Sequence, residues 1–105
     1  MEDIQRYPSL EQARNAAIRW LECRDIEFGP HREIAIGRLG EFAGKEVGVR
    51  ATQSPFWRLR LDYDDKKGAH FNTEFNSGPQ REKAAFLFPA TPKLIDRLVR
   101  QREPR

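Results

Sequence analysis

The sequence is poor in the residues that build covalent frameworks and membrane anchors. It has one cysteine, two histidines and one methionine. A single thiol, Cys23, cannot form an internal disulfide or supply a cysteine-based metal site. Cys23 follows Trp20 and Leu21 on an expected helix, so a partly buried packing role is expected, with no base nearby to make it a nucleophile. No apolar run approaches the roughly 20 residues needed to span a bilayer. Met1 to Pro8 lacks the apolar centre of a secretory leader, so export on a leader of its own is not expected, and delivery within a larger secreted protein is the alternative. His31 and His70 lie too far apart in sequence to argue for zinc, and no metal or other cofactor is expected.

What is present suits one globular domain. The chain has 105 residues, 38% hydrophobic and 33% charged, enough for one modest core. The expected domain is 1–105, with 1–8 and 101–105 flexible. Nineteen Lys and Arg against sixteen Asp and Glu give a net charge of +3. That balance hints at an anionic partner, either nucleic acid or an acidic inhibitor protein.

Ser9 with Gln12 three residues later is a capping-box pattern. Leu10, Ala13, Ala17, Trp20 and Leu21 follow at helical spacing, which predicts an amphipathic helix over 10–24 ending before Gly29-Pro30. Ile34 with Ile36, and Val47 with Val49, alternate as short strands do. Trp57, Leu59, Leu61 and Tyr63 alternate with Arg58, Arg60 and Asp62, which predicts a half-buried strand. After the loop 64–68, Phe71, Thr73 and Phe75 oppose His70, Asn72 and Glu74. Asn76-Ser77-Gly78-Pro79 reads as a turn, and Ala84 to Phe88 as a strand covered on both faces. Thr91 caps a last helix that starts at Pro92, with Leu94, Ile95, Leu98 and Val99 on its apolar side. The fold class is therefore α+β: an N-terminal helix on a mostly antiparallel four- to five-stranded sheet, then a C-terminal helix.

Symmetric closure of the loop 64–68 fixes a register. Asp62 then faces His70, Arg60 faces Asn72 and Arg58 faces Glu74, while Leu61, Leu59 and Trp57 meet Phe71, Thr73 and Phe75 on the other side. A slip of one residue would bury the charges and expose the apolar set.

The polar side of this hairpin has the parts for cutting RNA through its own 2′-hydroxyl. Such a reaction needs a base, an acid and positive charge at phosphorus. An imidazole serves as either acid or base, which points to His70. Glu74 is a candidate base, Arg58 and Arg60 are candidate phosphate clamps, and Asn72 is a neutral donor. Asp62 is placed to orient His70. Residues four apart on a strand start about 13 Å apart, so if Glu74 cannot reach, Asp62 or Asp64 becomes the partner of His70. The competing reading is a solvated face with two cross-strand ion pairs, each contributing ~0.2–1 kcal/mol.

Arg32, Arg38, Lys45, Arg50, Arg81 and Lys83 are candidates for a phosphate-tracking surface. Gly40, Gly44 and Lys45 do not make a phosphate loop: the spacing is one residue short, and Glu46 stands where a hydroxyl is needed. Trp57 and Phe56 can stack on bases, but core packing is the expected role.

The segments Trp57 to Asp64 and Lys67 to Glu74 resemble C-terminal toxin domains of bacterial polymorphic toxins of the CdiA contact-dependent inhibition and Rhs types. The resemblance extends to Ala13–Ala17, to Gly37-Arg38-Leu39-Gly40 with Gly44-Lys45, and to Gly78-Pro79 with Lys83. It departs at Ala69, where proline is expected, and at Phe71, where a smaller aliphatic residue is expected. It implies a metal-independent ribonuclease of the barnase, EndoU, colicin and RelE class, cutting tRNA or another structured RNA in a target cell's cytoplasm. A cognate immunity protein would block it, so a monomer or a heterodimer with inhibitor is implied. Carried over by position, the resemblance singles out Asp62, Asp64, Lys67, His70, Asn72 and Glu74. The alternatives are a non-catalytic module (an immunity or nucleic-acid-binding adaptor protein) and a deoxyribonuclease. The basic charge argues against the immunity version, and no carboxylate or histidine cluster supports the last.

Overall fold

Alternation of apolar and polar residues over 57–75 produces the central hairpin of the molecule. In the computed structural model, which describes residues 2–27, 47–51, 55–76 and 78–102, β3 (Trp57–Asp64) and β4 (Gly68–Phe75) pair antiparallel in the expected register. Asp62 is opposite His70, Arg60 opposite Asn72, and Arg58 opposite Glu74. The loop closes in three residues, 65–67, and Gly68 takes φ 74°. A short loop ending in a left-handed residue is a common way to close a hairpin, and glycine adopts it without a Cβ penalty.

The sheet is completed by β1 (Glu2–Arg6), β2 (Val47–Arg50) and β5 (Glu82–Leu87), in the order β1-β5-β4-β3-β2. Three pairings are antiparallel and one, β1 with β5, is parallel. The parallel edge was not expected. In place of the flexible segment expected over 1–8, Glu2–Arg6 form a strand beside Lys83–Leu87. Their polar composition carries no strand signal, and the backbone ladder of β5 supplies the order instead. The strand expected around Ile34 and Ile36 lies outside the described residues, as do His31, Arg32, Arg38, Lys45 and the glycines at 37, 40 and 44.

Helix α1 (Leu10–Glu22) lies on one face of this sheet. Ser9 caps it, its hydroxyl accepting from the Gln12 amide at 3.2 Å. Ala13, Ala16, Ala17, Ile18 and Leu21 are its buried residues; Ala16 and Ile18 widen the expected stripe, and its members Leu10 and Trp20 pack half-buried against the core. The helix ends before Gly29. Asp25 turns left-handed (φ 62°), and the Ile26 and Asp25 amides donate to the Leu21 and Glu22 carbonyls at 3.2 and 3.1 Å. These two bonds close a Schellman motif, with Ile26 and Leu21 supplying its apolar contact. Cys23 is exposed, not partly buried, because it falls in this terminating turn. Arg24 stacks on Trp20 at 3.5 Å and pairs with Glu82 at 3.1 Å, tying the helix end to β5.

The core forms where α1 meets Leu59, Leu61, Ala69, Phe71, Ala84 and Phe86. Thr73, also buried there, donates its hydroxyl to the Ala84 carbonyl at 3.4 Å. Helix α2 (Pro92–Arg102) begins as its sequence predicts, with the Thr91 hydroxyl accepting from the Leu94 amide at 3.1 Å. Leu94 packs against the core. Gln101 and Arg102, read as frayed, belong to this helix. No described helix is long and apolar enough to cross a membrane.

Candidate active site

Cross-strand partners share a face, so the register lays out the side of the sheet away from α1 as rows. One row runs Arg50, Arg58, Glu74, Lys83, Glu2. The next runs Gly48, Arg60, Asn72, Ala85, Ile4, and the third Asp62, His70, Leu87, Arg6. His70, Asn72 and Glu74 therefore do face one way from the central strand, flanked by arginines on β3 and by Lys83 on β5.

The imidazole is not solvated. His70 is 1% exposed, against the expectation of an open polar face. Its ring lies along β4: Nδ1 is 2.8 Å from the Gly68 carbonyl and Nε2 is 3.1 Å from Asn72 Nδ2. Both partners are two residues away on the same strand side, where an imidazole spans the gap. A carbonyl can only accept, so Nδ1 carries the proton. In the neutral ring Nε2 is then an acceptor and Asn72 donates to it. If Nε2 gains a proton, the Asn72 amide can turn its oxygen toward it, since the amide carries both functions.

The carboxylate beside this ring is Asp64, not Asp62. Asp64 Oδ2 lies 4.0 Å from Nε2. Asp62 accepts from the Tyr63 amide at 2.8 Å and lies 3.8 Å from Arg60. Asp64 stands opposite Gly68, which has no side chain to block it. Its other oxygen, Oδ1, accepts from the Lys66 and Lys67 amides at 2.9 and 2.5 Å, the Asx-turn arrangement of a hairpin loop. Burial pushes the Asp64 carboxyl up, but the Lys67 and Lys66 amides and the charges of His70 and Lys67 outweigh it. The group is held below its ordinary value.

A carboxyl lowered in the folded chain stabilises it above the ordinary aspartate value, and that contribution disappears as pH falls through the folded value. Asp64→Asn keeps an oxygen acceptor and removes the charge. Wild type is therefore expected to be more stable than Asp64→Asn at neutral pH, with the gap closing below about 3.8, the ordinary value. Urea midpoints measured down the acid range check this, and a gap independent of pH would count against it.

The remaining expected site residues separate. Glu74 is held by Arg58 at 2.6 Å, so it serves as that guanidinium's partner. Arg50, Arg58 and Arg60 line a depression of about 330 Å³ with Gly48 and Val49. A Cβ on Gly48 would meet the Leu59 carbonyl at 2.8 Å and Arg60 Cγ at 3.0 Å. Glycine there lets the Arg60 stem lie across β2. The Lys67 amine pairs with Glu2 at 2.6 Å. Arg81 and Lys83 lie on the far side of β4, and Trp57 packs against the core as expected. Sequence spacing leaves Asp62 and Asp64 as equal candidates for the ring's partner, and the structure selects Asp64. The signal for it was an aspartate opening a five-residue Asp-to-Gly turn.

No group of three His, Cys, Asp or Glu side chains among the described residues is arranged to hold a metal ion. A family model described as "Ribonuclease ageritin-like" matches residues 4–101. The chain belongs to this family. Among curated proteins and solved structures, none matches. The matched span takes in every described strand except the first two residues of β1.

Proposed function

We propose that this domain is an endoribonuclease of toxin type, cutting RNA at the face formed by Asp64, His70, Asn72 and the arginines of β2 and β3. The observation that carries the reading is the cluster of the Asp64 carboxylate at the end of β3 with the His70 imidazole and Asn72 amide on β4, beside clustered arginines, in a member of a ribonuclease family. In this scheme the 2′-oxygen attacks phosphorus and its proton passes to Asp64 Oδ2, which shares it with His70 Nε2. The P–O5′ bond breaks, and the stored proton goes to the departing 5′-oxygen. The products are a 2′,3′-cyclic phosphate and a 5′-hydroxyl. Arg60 and Arg58 neutralise the charge that builds at phosphorus. His70 thus acts from behind Asp64 and Asn72, consistent with its burial.

The scheme closes without a metal ion. A structured RNA is the expected substrate, tRNA foremost. An acidic immunity protein covering the arginine face is the expected antidote, as for a polymorphic toxin delivered into a target cell's cytoplasm. RNA incubated with the purified protein in EDTA tests the chemistry. Cleavage leaving cyclic phosphate ends supports it, and a requirement for added magnesium or zinc rejects the metal-free scheme. The burial of His70 favours one second reading, a non-catalytic RNA-binding module, which predicts neither cleavage nor toxicity on expression.

A further inference from the structure

The chemistry above uses the β2–β3 side of the central strand and leaves the cations on the other side without a role. Lys67, Arg81 and Lys83, with Glu2, line a depression of about 390 Å³. Three cations against one carboxylate leave it positive. Lys83 shares its row with Glu74 and Arg58, on the face that carries Asn72 and His70. Strands lie about 4.8 Å apart, so Lys83 on β5 stands roughly 10 Å from Arg58 on β3, with β4 midway.

We propose that this depression is a second phosphate subsite, one that holds the backbone of a single-stranded RNA segment running across the strands, from the arginines of β2 and β3 over β4 to Lys83 and Arg81. The inference rests on the ribonuclease reading and names its substrate as an oligonucleotide that extends beyond the reacting phosphate on the β5 side. In the free protein Glu2 holds the Lys67 amine at 2.6 Å. The arriving phosphate takes over that amine, and Glu2 is the group it competes with.

The test is salt-dependent binding of a 2′-deoxy oligonucleotide, which lacks the attacking hydroxyl, followed by fluorescence anisotropy. Each phosphate contacted on a single strand contributes about 0.7 to the slope of log affinity against log salt. The variant Arg81→Ala/Lys83→Ala is expected to lose about 0.7 from that slope. Losing a charge-assisted phosphate contact is expected to raise KM for RNA oligomers about tenfold, with kcat changed less. Glu2→Gln is expected to bind more tightly than wild type. Circular dichroism of each variant excludes unfolding, and Lys83→Gln alone repeats the test if the double variant misfolds. An unchanged slope in a protein that still cleaves RNA overturns the subsite alone. A wild-type protein that binds oligonucleotide but does not cleave RNA overturns the ribonuclease reading while leaving the slope to judge the subsite.

Discussion

His70→Asn is expected to leave the hairpin folded and to slow RNA cleavage by a factor on the order of 10²–10⁴, the usual contribution of a positioned acid–base group. The substitution is chosen for its geometry. An asparagine amide can take the place of Nδ1 and still donate to the Gly68 carbonyl, which is 2.8 Å from that nitrogen. It has nothing in the place of Nε2, the atom that faces Asn72 and Asp64. An alanine would confound the result, since it would leave a cavity and an unsatisfied carbonyl in a buried position. The assay is cleavage of a labelled RNA across a range of pH, with a urea melt of each protein alongside. Loss of rate without loss of stability, together with loss of one limb of the pH–rate profile, assigns the imidazole to the chemistry. Full activity in His70→Asn would remove it.

The second large effect is on stability. Phe71→Ala is expected to cost about 3–5 kcal/mol, the range for deleting a buried aromatic ring. Phe71 is fully buried, with its ring centroid 5.6 Å from that of Phe88, at the junction of α1 and the sheet. Small domains have about 5–15 kcal/mol of net stability, so this one substitution removes a large fraction of it. A shift in denaturation midpoint with an unchanged urea slope is the signature of a lost contact in an intact fold. A cost below about 1 kcal/mol, the scale of exposed substitutions, would show that this position is not the core. Phe71 also fills the position where the toxin resemblance expected a smaller aliphatic residue, so the same measurement shows how far this core depends on the larger side chain.

Hairpin register was legible because it rests on a period of two: only one alignment buries Leu59, Leu61 and Phe71 together while pairing Arg58 with Glu74. Both helix starts were legible because caps are local, with Ser9 and Thr91 bonding to amides three residues on. The stop of α1 was legible only to within its last turn: the helix ends at Glu22 and not at the expected Arg24, because a left-handed Asp25 did the work usually assigned to glycine. Strand β1 was invisible because its order comes from the ladder of a distant partner, β5, and not from its own residues.

The sequence by itself determined the α+β class, the face shared by His70, Asn72 and Glu74, and the supply of cations around them, since composition and alternation are properties of the chain. Tertiary structure alone decided which carboxylate meets the imidazole. Asp62 and Asp64 point to the same side two residues apart, and periodicity cannot choose between them. Asp64 reaches the ring because Gly68 opposite leaves room and the loop amides fix its other oxygen. Only the folded sheet buried His70, because exposure depends on neighbours that the linear pattern does not specify.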